Sequence, residues 1–200
     1  MRRFAVAILA VLLAVPAAVL AAASVPRFLP AQDVIVDYRL DLPGQPSQGV
    51  ELAYNARHGL ARIAAKSQSI FVLADLPARH AELVVPALHA LVEAPDFSAL
   101  TGMVENADNA RFTRLGEARY AGLECTNYLV LAAQGTATAC LTRDGVVLHF
   151  SGHDSHGTAT LTAHSVAFTP QPPAEFQPPP GFAPVQLPAG TIAALLQPPQ

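Results

Sequence analysis

The residues best equipped for chemistry crowd the second half of this chain: its two cysteines, Cys125 and Cys140, and four of its seven histidines, His149, His153, His156 and His164. Thiols in an oxidising compartment join as a structural bridge, whereas a redox-active pair normally has C-x-x-C spacing at a helix start. Both cysteines here lie in strand-like segments, "GLECTNYLVL" and "TATACLT", and "AAQG", Ala132 to Gly135, can turn the chain back between them. A four-residue connection centred near Ala132 and Ala133 places Cys125 opposite Cys140, within bonding distance. The pair reads as a disulfide.

His153, Asp154 and His156 share one short connection, and imidazoles with a carboxylate can ligate zinc or copper. The spacing His149-x3-His153-x2-His156 builds no closed site when His149 lies in a strand and the other two in a loop. Solvated loop histidines are the reading, with a metal-binding loop as the weaker alternative. Ser151, His153, Asp154, Ser155 and His156 also contain every residue type of a nucleophilic triad. Triad members converge from separate segments, however, and Ser155 has His153 where a G-x-S-x-G elbow needs glycine. With no P-loop and no G-x-G-x-x-G either, the chain reads as a non-enzyme with no catalytic residue, metal or cofactor assigned.

The disulfide reading depends on the compartment, and the N-terminus speaks to that. Arg2 and Arg3 precede "FAVAILAVLLAVPAAVLAAAS", an apolar run closing on Ala21-Ala22-Ala23. This is the pattern of a secretory signal peptide, residues 1–23, removed by cleavage after Ala23. The run is long enough to span a bilayer, but Pro16 and the small residues after it favour cleavage over anchoring. The expectation is a periplasmic or secreted protein with no stable transmembrane anchor. The chain of 200 residues has a formal charge of −3 and no clustered basic residues, which argues against nucleic acid as a partner. Its length after cleavage suits one domain with its own core.

The elements that must position these residues begin at Asp33. Residues 24–32 are a lead-in; then Val34, Val36, Tyr38, Leu40 and Leu42 alternate with Asp37, Arg39 and Asp41, a strand with one wet face. After "PGQPSQG", Val50, Leu52 and Tyr54 alternate again. Leu60 to Ala65 and Ile70 to Leu76 complete a four-strand meander. Leu83, Val84, Leu88, Leu91 and Val92 then recur at roughly helical spacing. The pattern predicts a helix from about Pro86 to Glu93, with proline in its first turn. A second helix is expected after Asp96 as N-cap, with Phe97, Leu100, Met103, Val104 and Ala107 on one face. Strands return from Arg111, with Asp144-Gly145 as a hairpin turn and "GHDSHG" as a looser connection. From Pro170 to Gln200 the chain is proline-rich and unsuited to regular pairing, although Phe176, Phe182 and Val185 could hold "FQPPPGFAPVQLP" against the body.

In that order of elements the chain resembles the exported LolA/LolB-like superfamily, some of whose members carry or receive lipoproteins. The likeness rests on the signal peptide, "DVIVDYRLDL", the helical middle and "AGLECTNYLVL…ACLTRDGVVLHF". "EFQPPPGF" is similar to an F-x-x-P-x-G-aromatic ending of such domains. It covers Asp33 to Pro184. The resemblance implies a strongly curved antiparallel sheet, an unclosed half-barrel whose concave apolar face is lidded by helices and can hold acyl chains.

The chain's own pattern agrees in kind: an α+β fold in which two or so helices cover the concave face, residues 33–169, followed by a proline-rich segment, residues 170–200. Alternation makes Val34, Val36, Tyr38 and Leu40 lining candidates, joined by Phe97, Leu100 and Met103. The same residues would equally fill a solid core. Two functions are open. One is a carrier or sensor of a lipid, acyl chain or other apolar ligand. The other is a filled-core domain that docks an envelope protein through a sheet edge or the proline-rich tail.

Overall fold

The computed structural model describes residues 25–93, 110–132, 135–154 and 157–186. The opening meander is β1 (Val34–Asp41), β2 (Gln48–Asn55), β3 (Leu60–Ala65) and β4 (Phe71–Asp75). It continues with β5 (His80–Val85) and β6 (Ala90–Glu93). The second run is β7 (Arg111–Tyr120), β8 (Leu123–Ala132), β9 (Gly135–Leu141), β10 (Val147–Asp154) and β11 (Gly157–Ala167), and β12 (Ala183–Pro184) ends the described chain. All belong to one sheet in the order β12-β6-β5-β4-β3-β2-β1-β11-β10-β9-β8-β7. Every pairing is antiparallel except β12 with β6. The two halves of the chain are thus two meanders joined where β1 pairs with β11.

Alternation in β1 propagates across the sheet because register is strict. Val34 stands opposite Tyr54 and Val36 opposite Leu52. Tyr54 in turn faces Ala61, Ala61 faces Ala74 and Ala74 faces Ala81. One face of β1–β5 is therefore apolar, and Val34, Val36 and Tyr38 are buried at its centre. The other face of β1 carries Asp37 and Arg39, with Asp37 bonded to Lys66 and to Ser165.

The sheet curls steeply at its β7 end. Flat strands about 4.8 Å apart would hold β7 and β11 roughly 19 Å from each other, yet their Cα atoms approach within 8 Å. Tyr120 of β7 stacks on His149 of β10, with ring centroids 4.8 Å apart, although two strands lie between. Register shifts at Asp37/Tyr38, at Val147/His149 and at Arg114/Gly116 mark bulges. Each bulge bends its strand and adds twist. Cys125 and Cys140 are bonded across the curled strands, with Cα atoms 5.4 Å apart.

Several sequence expectations need correction. Among the described residues there is no α-helix, so the two covering helices of the expected α+β fold are not what the structure shows; the fold is an unclosed, curved, strand-dominated sheet. Residues 86–93, expected as the first helix, form a 3-10 turn, Pro86–Leu88, followed by β6, with His89 reversing the chain at φ 49°. The cause is burial on both faces. Leu83, Val85 and Val92 pack on one side, while Val84 and Leu91 pack with Leu73 on the other. Adjacent apolar residues then imitate a helical period, and the alternation that marks a half-buried strand is lost. The second expected helix, with Phe97, Leu100 and Met103, lies outside the described residues.

The cysteines are bonded but not directly opposite, since the connection turns one residue later than expected and β8–β9 register sets Cys140 against Asn127. Within "GHDSHG", expected as a loose connection, His153 lies inside β10 and pairs with Thr158, and Asp154 pairs with Gly157; Ser155 and His156 lie outside the described residues. At the Asp-Gly turn only Gly145 takes positive φ, at 86°, while Gly145 N donates to Thr142 O.

The proline-rich segment is docked by a polar clamp. Asp33 accepts from Ala56 N and from Gln171 N, each at 2.8 Å. Buried Asn55 donates to Gln171 O and accepts from His58 N. From there Pro173–Phe176 forms a 3-10 turn against β3 with Phe176 buried, and Phe182 packs on Leu73, Val84 and Leu91. Ala183 N and Val185 N then bond His89 O and Leu91 O. Pro184, which has no N–H, falls between these two donors and faces away from β6, so pairing survives a proline.

Four outcomes are expected from the clamp and from the curled end of the sheet. Asn55→Ala leaves Gln171 O and His58 N without their buried partner and should lower stability by about 1–3 kcal/mol. Amide exchange should show Ala183 and Val185 losing protection well before β1. Reduction of Cys125–Cys140, which closes a loop of sequence separation 15, should cost about 3 kcal/mol in urea unfolding, and denatured, unreduced protein should titrate no free thiol. Burial holds the His149 imidazole below its ordinary 6.5. The unfolded chain therefore takes up that proton first as pH falls. This contribution is complete above about pH 6.5 and is lost as pH drops from there through the folded value. The urea midpoint should fall between pH 7.5 and 5.5, and less so in His149→Phe.

Candidate functional site

The residues expected to line a ligand cavity divide into two groups. Val34, Val36 and Tyr38 sit together in one buried cluster with Tyr54, Ala61, Ala74 and Ala81. Leu40, one alternation further on, is half-buried near the end of β1. Phe97, Leu100 and Met103 belong to residues outside those described. The alanines at positions 61, 74 and 81 keep the apolar face shallow along its β3–β5 stretch. Tyr38 lies opposite Ala163 of β11, whose small side chain lets the phenol reach past it. Its hydroxyl donates to Val147 O at 2.8 Å, a bond that ties β1 to β10 across the intervening strand. Burial pushes the Tyr38 hydroxyl well above the usual phenol range and raises that of Tyr54. Both tyrosines therefore present neutral rings within an apolar face.

The histidines do not converge. His149 Nδ1 lies 3.1 Å from Thr162 Oγ1, and His153 Nδ1 lies 3.0 Å from Thr158 Oγ1, both cross-strand pairs between β10 and β11. Neighbouring hydroxyls occupy one nitrogen of each ring, and Tyr120 covers the plane of the first. His156 is outside the described residues. Among those described, no group of three His, Cys, Asp or Glu side chains is placed to hold a metal.

Ser151 and His153 point along β10 in the same alternation, with Gly152 between them, and no acid converges on them within the described residues. Among the described residues the arrangement is one of side-chain pairing between strands.

A second concavity was not legible in the sequence. It is an open groove of about 740 Å³ floored by β7–β9 and walled by the lead-in, with Arg27, Glu117, Arg119, Glu124, Tyr128 and Arg143 among its lining residues. None of the expected lining residues borders it. The lead-in carries no periodic pattern, and Arg143 reads only as a turn residue. Nothing in the local sequence announced that the two would meet.

No protein-family model matches the chain, and no curated protein matches it by sequence. Solved structures do match in shape. An uncharacterized conserved protein from Thermus thermophilus is 12% identical with a TM-score of 0.58, over 78% of this chain and 91% of that one. A chain in the MucA/MucB complex of Pseudomonas aeruginosa is 12% identical with a TM-score of 0.54, over 78% of this chain and 58% of that one. PNGF-II is 13% identical with a TM-score of 0.51, over 82% of this chain and 32% of that one. The chain thus spans little more than half of the MucA/MucB match and a third of PNGF-II. At such identity the likeness is one of fold. The unclosed, curled sheet described above, which the resemblance implied, is the fold this chain shares with these structures.

Proposed function

We propose that the protein is a non-catalytic, exported binding domain that shelters a lipid, acyl chain or other apolar ligand against the apolar face of its half-barrel. The observation that carries this reading is the continuity of that face. It runs from Val34, Val36 and Tyr38 through Tyr54, Ala61 and Ala74 to Ala81 without a charged residue. The docked C-terminal segment, by contrast, places Phe182 on the opposite side, over Leu73, Val84 and Leu91. A single-layer sheet must cover an apolar face with something, because exposed apolar surface costs about 25 cal/mol per Å². In this reading Val34, Val36, Tyr38 and Leu40 form the floor, and Phe97, Leu100 and Met103 contribute the cover. Residues 1–23 direct export, and the mature protein works in the periplasm or outside the cell.

A second reading has its own support. The ten-residue β7 is an end strand, and among the described residues its outer edge pairs with nothing, whereas β6 is closed by β12. An envelope protein could add a strand there, and a similar fold has been seen in a protein complex, that of MucA and MucB.

Native mass spectrometry of the mature protein before and after organic extraction separates the two. Retained lipid mass that extraction removes, together with binding of a fluorescent acyl probe, is the expected result. If no lipid is retained and the probe does not bind, the carrier reading is overturned, and protection of β7 amides by an envelope extract would then favour the edge.

A further inference from the structure

The groove under the lead-in is a different kind of site from the apolar face. Its position is fixed from both sides. Phe28 packs on Phe112 at a centroid distance of 5.0 Å, and Phe112 meets Tyr128 edge-on at 6.3 Å. Ala31 N donates to Asp144 O at 2.7 Å. Gly145, at φ 86°, lets the lead-in lie directly on the β9–β10 turn. A Cβ there would collide with the Leu29 carbonyl oxygen and stand 2.7 Å from Arg27 Cγ. Arg27 is consequently held beside the turn that carries Arg143.

The charges in the groove do not cancel. Glu117 is bonded by Arg114 at 2.6 Å, and Glu124 by Arg119 at 3.2 Å. Arg27 and Arg143 make no ion pair among the described residues. Asp144, next along the turn, pairs with neither and engages Ala31 through its backbone. Thr142 Oγ1 accepts from Val146 N, which leaves its hydroxyl proton free to donate. Two unsatisfied guanidinium groups bordering one concavity, which the hydroxyls of Thr126 and Thr142 also line, suit a tetrahedral oxyanion better than any neutral ligand. In a chain whose formal charge is −3, this local positive excess is also what would draw an anion to this place.

We propose that this groove binds a phosphate group, held between Arg27 and Arg143. The phosphate could belong to a phospholipid headgroup or to a soluble phosphorylated ligand. The proposal does not rest on the acyl-binding reading, since the groove shares no residue with the proposed floor.

The test follows amide resonances of Arg27, Thr126 and Thr142 in the mature protein during titration with inorganic phosphate. In parallel, the protein is sedimented with phosphatidylglycerol vesicles and with phosphatidylcholine vesicles at low and physiological salt. Saturable shifts are expected at these amides. The double variant R27Q/R143Q should bind at least about tenfold more weakly, while R57Q, on the far β2–β3 turn, should match wild type. Both replaced arginines are exposed and unpaired, so the urea midpoint of the double variant should be unchanged; Arg143→Lys, which keeps the charge but not the fork, should bind at an intermediate level. Sedimentation with phosphatidylglycerol that the double variant loses identifies a headgroup site, and phosphate shifts without vesicle binding identify a soluble ligand. Absence of phosphate shifts, or equal shifts in the double variant, would overturn the proposal.

Discussion

The clamp of Asp33, Asn55 and Gln171 is the contact on which the arrangement of the chain depends. It joins the residue before β1, the turn between β2 and β3, and the segment after β11, which are 138 residues apart at their extremes. Hydrogen bonds to a charged acceptor contribute roughly 1.5–3 kcal/mol each, and Asp33 accepts two from backbone donors that the sheet leaves unpaired. Because Gln171 is held through both its N–H and its carbonyl, the segment after it has one direction in which to leave. That direction takes Phe176 to β3, Phe182 to β4–β6 and Ala183 to the outer edge of β6. The clamp thus places the cover of one face and the closure of one edge.

The other end of the sheet is organised by curvature. Bulges in β7, β10 and β11 turn a ribbon of twelve strands inward until Tyr120 lies on His149. The disulfide then joins β8 to β9 close to that stack, and the Tyr38 hydroxyl reaches β10 from β1. These contacts come from four different parts of the chain and act on the same few strands. Reduction, or protonation of the half-buried His149 imidazole, should therefore loosen the curled end before it affects the clamped end.

This division has a functional sense. The apolar cluster runs from Ala61, Ala74 and Ala81 on the clamped side through Val34, Val36 and Tyr38 to Cys140 and Leu148 on the curled side, and it presents neutral tyrosine rings and aliphatic side chains. The charged groove lies on the curled half, where the lead-in crosses the β9–β10 turn. A ligand with an apolar chain and an anionic group would find both chemistries on one domain.

Much of the fold was legible in the residues. Period-2 alternation in Val34–Leu40 and in Val50–Tyr54 marks strands with one buried face, because side chains of a strand alternate whatever lies around it. The paired cysteines and the Asp-Gly turn are equally local signals, although the bridge proved diagonal and only Gly145 took positive φ. Leu83–Val92 misled for a physical reason: strands buried on both faces lose their alternation, and what buries the second face is Phe182, some ninety residues later. Tertiary structure alone decided the curl, since bulges at Leu148 and His164 have no signature in residue type. It alone also brought Arg27 beside Arg143, because that approach depends on a glycine turn receiving a distant, aperiodic segment. Local pattern determines which residues form strands and which face is apolar; long-range packing determines what covers each face and which charges meet.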